Sequence, residues 1–348
     1  MPRVSIDSTK KLKPPRLRDV ADVAGVSIAL VSSFINRPEQ VGSKSAVKIS
    51  NAIEQLGFVP NDAARQLRRG VSRMIAFVAF DVGDPFFALV ARGAQRRAAE
   101  AGLSLVLADT DGRRSTEAEY LALFRQQRVR GILLAPVDDP RTYFTETGST
   151  ITPTVFIDQP APSETYGSVA INDVLGGELA AAHLLSLGRR RLAFVGGPTT
   201  IRQVADRLTG VRSALAHVRD ASLEIFHTEE RNALEGRSIA EAVLRRGVER
   251  RPDGIFCVND TIAAGVLQVL LRDPSIRVPY DIAVIGYNDV AADVSSLIPL
   301  SSIRQPHEAF GSTAVDLLME EFAAVDKSPR RHVVFDPELI VRESTSGK

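Results

Sequence analysis

Between residues 71 and 344 one pattern recurs: a short unbroken run of apolar residues, then Asp, Asn, Gly or Pro, then an amphipathic helical stretch. The runs are Ile75–Phe80, Leu103–Ala108, Ile132–Val137, Thr154–Ile157, Leu192–Val195, Ile255–Val258 and Ile282–Ile285. A strand without apolar–polar alternation is buried on both faces, the condition of a parallel sheet covered by helices. The pattern predicts an α/β fold. Seven or more units overfill one modest open sheet and suit two Rossmann-like lobes with a ligand cleft between them. A TIM barrel is the competing architecture, but it needs eight regular units. The last runs, Leu300–Arg304 and His332–Val341, have no helical stretch after them.

The first 70 residues differ in charge. They hold twelve Lys and Arg against six Asp and Glu, and the remaining 278 residues hold 31 against 36. The formal net charge of +1 thus hides a basic first part and an acidic larger part. That polarity points to a polyanionic partner for the first part alone. Within it, Asp19–Asn36 fits two short helices. Leu17 to Ala24 carries a small apolar face of Val20, Ala21 and Ala24. Gly25 can leave the helix with positive φ, and Ser27 can cap the next one. Val31, Phe34 and Ile35 form the buried stripe of that second helix, leaving Ile28, Ala29, Ser32, Ser33 and Asn36 outside. Two helices about a glycine turn, in a basic setting, read as a helix-turn-helix whose second helix enters a major groove. An ordinary helical hairpin in a globular core is the alternative.

A third helix is expected from about Lys44 to Leu56, with Val47, Ile49, Ala52, Ile53 and Leu56 on its apolar face and Gly57 at its end. Residues 1–15 carry Arg3, Lys10, Lys11, Lys13 and Pro14-Pro15 and fit a disordered basic arm able to touch phosphates. After Pro60, Asn61 can cap a further short helix that Gly70 can end. Leu67 is its one large apolar residue, so this helix is marginal alone and calls for a second copy of itself, DNA or both to fold against; a plain linker is the alternative.

Other classes of function find little support. No run of 18 apolar residues predicts a membrane span, and the N-terminus lacks the apolar core of a secretory signal. The single cysteine, Cys257, fits core packing in a reducing cytoplasm. There is no glycine-rich phosphate loop and no GxSxG elbow, and the five histidines lack metal-ligand spacing. No cofactor, metal or enzymatic activity is therefore expected. The telling residues follow the apolar runs: Asp81, Asp84, Asp109, Asp158, Asn172-Asp173, Asn259-Asp260 and Asn288-Asp289. Parallel sheets gather such strand ends at one edge. With Phe86, Phe87 and Tyr287 they suit a polyhydroxyl ligand, though some must merely cap helices.

Taken in order, these segments resemble the LacI/GalR (lactose-repressor/galactose-repressor) family of bacterial transcription regulators. They are Arg18-Asp19-Val20-Ala21, Ala24-Gly25-Val26-Ser27, Val31-Ser32, Asn36, Leu56-Gly57-Phe58-Val59-Pro60-Asn61 and Ala64-Arg65-Gln66-Leu67. Further on come Asp84-Pro85-Phe86-Phe87, Ile285-Gly286-Tyr287-Asn288-Asp289 and Ser302-Ile303-Arg304-Gln305-Pro306. The resemblance covers residues 16–344. It implies a helix-turn-helix domain at 16–60, a hinge helix at 61–70 and a periplasmic-binding-protein-like (type I) core at 71–344. Lobe 1 would take about 71–170 and 300–325, and lobe 2 about 171–299 and 326–344. It further implies a cytoplasmic homodimeric repressor, nucleoid-associated when bound to pseudo-palindromic double-stranded operator DNA. Its operator affinity would be controlled allosterically by a small-molecule effector. A neutral sugar is the first choice, ahead of a sugar phosphate, a sugar acid or a nucleobase-like metabolite.

By the same resemblance, DNA contacts fall on Ser27, Ile28, Ala29, Leu30, Ser32, Ser33 and Asn36, and on Asn61, Ala64 and Leu67 of the hinge, with Leu67 as a minor-groove wedge. Effector contacts fall by the resemblance on Phe87, Asp158, Arg207 and Asn288, and Asp81, Phe86, Gln203, Asn259 and Asp260 join them as candidates. The sequence departs from the family pattern in places. Leu30 replaces a usual threonine and Asn288 a usual aspartate, and Ile28 and Ala29 can offer bases only apolar contact. Direct readout is then modest, and DNA deformability carries more of the selection. No heptad tail follows Glu343, which favours a dimer over a tetramer. A solute-binding protein would show a signal peptide and no helix-turn-helix. A Rossmann-like enzyme would need a nucleophile, a metal cluster or a phosphate loop.

Overall fold

The computed structural model describes residues 15–59, 72–139, 152–161, 163–290, 298–323 and 329–347. The chain forms two compact units, Met1–Val71 and Ser72–Lys348. The expected arm up to residue 14 and the expected hinge helix, with Asn61, Ala64 and Leu67, lie outside the described residues.

The first unit contains α1 (Leu17–Ala24), α2 (Ile28–Asn36) and α3 (Ser43–Leu56). At the start of α1 the Asp19 carboxylate accepts a hydrogen bond from the Arg16 amide at 2.7 Å, where the helix dipole favours negative charge. Gly25, at φ 63°, ends α1, and Ser27 Oγ accepts from the Leu30 amide at 3.2 Å to start α2. The two axes turn through 107°, the angle of a helix-turn-helix. Val20, Ala21, Ala24, Val31, Ile49 and Ala52 make the small core, with Phe34 and Ile35 half-buried against it. Val47, expected on the buried face of α3, is 60% exposed. Two residues from Ile49, it stands about 200° around the helix, so both cannot face the core.

The second unit holds two six-stranded sheets. Lobe 1 contains β1 (Met74–Ala79), β2 (Ser104–Asp109), β3 (Gly131–Leu134), β4 (Thr154–Ile157), β5 (Gly167–Ile171) and β11 (His332–Phe335). Their order is β11-β5-β4-β3-β1-β2, all parallel. Lobe 2 contains β6 (Arg191–Val195), β7 (Ser222–Phe226), β8 (Gly254–Cys257), β9 (Ala283–Asn288), β10 (Ser301–Arg304) and β12 (Glu338–Ile340). Their order is β12-β10-β9-β8-β6-β7, with β12 antiparallel at the edge. Two separate sheets exclude the barrel. Among the described residues no single helix is long and apolar enough to cross a membrane.

Helices flanking the sheets include α4 (Pro85–Glu100), α5 (Arg114–Gln126), α6 (Asp173–Ser186), α7 (Arg202–Leu215), α8 (Ala233–Leu244), α9 (Asp260–Leu270) and α10 (His307–Ala323). Three pairs cross with backbones touching. A Cβ on Gly93 of α4 would strike the backbone of Glu308 of α10, and one on Gly311 of α10 would strike Val90 of α4. Gly177 and Gly210 play the same reciprocal part between α6 and α7, and Gly236 and Gly265 between α8 and α9. No side chain fits at these crossings.

The lobes are stitched together differently from the expected division. β10, expected in lobe 1, pairs with β9 in lobe 2, and His332–Phe335, expected in lobe 2, pairs with β5 in lobe 1. The chain therefore passes between lobes three times, after β5, β10 and β11. Ser302 Oγ donates to Asp260 Oδ1 at 2.6 Å and the Ser301 amide donates to Ser344 Oγ at 2.8 Å, which fastens β10 to lobe 2. A helix, α10, does follow β10, but it packs in the other lobe. Strands β5 and β7 were not anticipated. GSVAI is short and begins with Gly and Ser, and SLEIF is an edge strand that alternates in burial.

Glu117 of α5 is buried and accepts from the Val137 amide at 2.8 Å, and burial pushes its carboxyl up to about 7. A carboxyl whose pKa rises on folding binds its proton more tightly in the native state. Its stability contribution is full below the unfolded pKa, about 4.5, and is lost as pH rises through about 7. Glu117→Gln keeps the acceptor and cannot ionise. Thermal melts should show this variant more stable than wild type above neutral pH, with the gap closing as pH falls through the carboxylate range.

Candidate functional site

In the first unit the outward face of α2 is Ile28, Ala29 and Ser33, all exposed. The other expected DNA contacts on this helix already have internal work. Ser27 caps α2, Leu30 packs partly against the core, and Asn36 Nδ2 donates to the Ser32 carbonyl at 2.7 Å. Helix α2 carries no charged residue, while Arg18, Arg37, Lys44 and Lys48 are exposed on neighbouring segments.

In the second unit a cleft of about 1030 Å³ opens at the carboxyl ends of the strands, walled by both lobes. Four expected effector residues line it: Asp81 after β1, Phe87 in the first turn of α4, Asp158 after β4, and Gln203 in the first turn of α7. Gln203 Nε2 reaches across from lobe 2 and donates to the Asp158 carbonyl at 2.8 Å and to Asp158 Oδ2 at 2.7 Å. Burial, with nearby Asp173 adding to it, pushes the Asp158 carboxyl up to about 8 against the pull of Arg207 and the Gln203 bond. Asp81 is also raised by burial, opposed by its bond from the Gly83 amide.

The other five expected contacts stand behind the wall. Phe86, one residue and about 100° of helix away from Phe87, turns into the core against Phe310 and His307. Asn259 caps α9 through the Ile262 amide at 2.9 Å and holds the Arg231 carbonyl at 3.0 Å. Asp260 accepts from Ser302 Oγ and from the Val290 amide at 2.8 Å. Asn288 donates to Asp84 Oδ1 at 3.4 Å and accepts from Gln305 Nε2 at 2.8 Å. Arg207, expected to grip ligand, is buried. Its Nε donates to Asp173 Oδ1 at 2.8 Å and its Nη1 to the Val258 carbonyl at 2.6 Å, and its guanidinium lies 3.6 Å from the Tyr287 ring centroid. Tyr287 Oη donates to the same Asp173 oxygen at 2.8 Å. Burial alone would lower the Arg207 pKa, but Asp173 holds it above its ordinary value.

Several cleft residues escaped notice in the sequence. Asp206, Glu229, Glu230 and Arg231 line the wall from α7 and from the segment after β7. Because β7 itself alternates, no apolar run marked the loop that follows it.

A three-helix unit whose second helix presents an exposed face, joined in one chain to a two-lobed cleft, defines a ligand-sensing DNA-binding protein. Residues 16–61 match the family "Bacterial regulatory proteins, lacI family", and residues 181–345 match "Periplasmic binding protein-like domain". The HTH-type transcriptional regulator DegA of Bacillus subtilis is 32% identical over 332 residues, covering 94% of this chain and 97% of that protein. The crystal structure of the Lac repressor dimer bound to operator and the anti-inducer ONPF is 25% identical, with a TM-score of 0.78 over 96% of this chain and 99% of that one. The complex of the transcriptional regulator CelR with cellobiose is 28% identical, with a TM-score of 0.68 over 95% and 99%. The chain belongs to the LacI family of bacterial transcriptional regulators. It is a DNA-binding regulator with an effector-binding core, not an enzyme.

Removing Arg207 would leave the Asp173 carboxylate buried without its cation. Breaking such a pair costs about 3–5 kcal/mol, so Arg207→Leu should lower the urea midpoint of the core by a corresponding amount. Retention of wild-type stability would show that the pair is not the support described.

Proposed function

We propose that this chain acts as a homodimeric repressor on a pseudo-palindromic operator, with DNA affinity set by a polyhydroxylated metabolite bound in the cleft. The observation that carries the reading is the union in one chain of an exposed, uncharged second helix on a 107° helix pair and a two-lobed cleft lined by Asp81, Phe87, Asp158 and Gln203. The matched Lac repressor structure is a dimer on operator, and the matched CelR structure holds a sugar, which supports both halves.

In this reading α2 lies in the major groove with Ile28 and Ala29 against thymine methyls and Ser33 at a base edge. The exposed Arg18, Arg37, Lys44 and Lys48 supply phosphate contacts, which position the protein without selecting sequence. Leu67 wedges the centre of the site from the minor groove, so the half-sites are selected partly by their spacing and deformability. Ligand and DNA each favour one arrangement of the lobes, and that difference couples them.

Selection from a random-sequence DNA pool with the full chain should return two inverted half-sites. Ser33→Arg introduces a bidentate reader and should add a guanine preference at one position of each half-site, worth about 1–3 kcal/mol. An unchanged consensus would remove Ser33 from the base-reading face. Titration of the selected DNA with and without the cleft ligand should give affinities that differ by about 5–150-fold. Equal affinities would defeat effector control.

A further inference from the structure

The cleft has a sign. Nine of the described residues lining it are carboxylic acids and two are arginines, Arg202 and Arg231. Both arginines are engaged. Arg202 Nε bonds Asp206 Oδ2 at 3.2 Å, and the Arg231 guanidinium lies 4.9 Å from the centre of the Phe80 ring. Arg113 and Arg114, outside the wall, pair with Asp111 and Asp138 at 3.4 and 3.3 Å, and the wall remains negative. Six of the carboxyl groups come from lobe 1 and three from lobe 2. Closer approach of the lobes therefore sets like charges against one another in a falling dielectric. An anionic ligand would add to that repulsion and a cationic one would relieve it.

A second observation lies at the floor. Asp158 Oδ1 and Gln203 Oε1 are both shut off from solvent, and neither has a hydrogen-bond partner. The Gln203 amide is oriented by the two bonds its Nε2 donates to Asp158, so its oxygen is an acceptor left over beside the carboxylate. Asp158 Oδ1 and Gln203 Oε1 are thus the acceptors left over on a pair whose other polar atoms are already bonded to each other. An ammonium brings three donors and no acceptor, a hydroxyl brings one donor, and an ionised carboxylate or phosphate brings none. A cation beside Asp158 favours its ionised form and so opposes the burial that raises this carboxyl's pKa. Among the described residues no three His, Cys, Asp or Glu side chains are grouped so as to hold a metal ion. The cation that fits is organic. The volume, about 1030 Å³, admits a ring-sized molecule, and its hydroxyls would donate to the remaining carboxylates.

We propose that the effector is a polyhydroxylated primary amine, of the amino sugar or aminocyclitol class, whose ammonium is held by the acidic wall beside the Asp158–Gln203 pair. The proposal rests on the cleft being the effector site. Thermal denaturation and calorimetric titration of the full chain at neutral pH test it with glucosamine, galactosamine, mannosamine and 2-deoxystreptamine. The parent hexoses, the N-acetyl derivatives and glucose 6-phosphate serve as matched controls. At least one amine should raise the melting temperature by about 3 °C or more at saturation and bind at least tenfold more tightly than its uncharged counterparts. Asp158→Asn should abolish that preference. A parent sugar, an N-acetyl sugar or a phosphate that binds as tightly as the best amine, or no stabilisation by any of the amines, would overturn the charge assignment. An amine that binds in this pattern without changing affinity for the selected DNA upholds the charge assignment and defeats effector control. A neutral sugar that releases or recruits DNA does the reverse.

Discussion

The buried carboxylate of Asp173 is the constraint on which the effector core is built. A carboxylate removed from water must find partners, and among the described residues Arg207 and Tyr287 serve it. Meeting that need fixes three elements at once: the start of α6, the middle of α7 and the end of β9. Gln203 is one helical turn before Arg207 on α7, so the arginine that anchors the helix also delivers the amide that crosses to Asp158. The ligand wall is thus set by an ion pair that takes no part in lining it.

This arrangement explains which parts of the site could be read from sequence. Polar residues at strand ends mark the correct edge of the sheets, and Asp81 and Asp158 do reach the cleft. The same rule cannot tell a residue that faces the cleft from one that props it. Asn259 and Asp260 follow β8 as Asp158 follows β4, yet they cap α9 and hold β10. Arg207 carries a recognisable position, but its burial beside Asp173 is a tertiary fact. The acidic loop Glu229-Glu230 follows an alternating edge strand, so no apolar run marks it.

The headpiece was the more legible part because its structure is local. Gly25, Ser27 and the small apolar face of Val20, Ala21 and Ala24 act within one or two helical turns, and each does what its residue type dictates. Val47 is exposed because it stands about 200° around α3 from Ile49, and Ala46 packs against the core in its place. The division of the lobes failed for the opposite reason. Whether β10 and β11 add to one sheet or the other depends on distant partners, the Asp260 and Ser344 side chains for β10 and the β5 backbone for β11.

The reciprocal glycine crossings have a mechanical consequence. Where two helices touch backbone to backbone, no side chain lies between them to change rotamer, and neither can roll or slide without steric collision. Gly93 with Gly311, Gly177 with Gly210 and Gly236 with Gly265 thus make each lobe a laminate of locked plates. Motion of one lobe against the other is then taken up at the three short connections that join them, after Ile171, Arg304 and Phe335, which serve as its pivots.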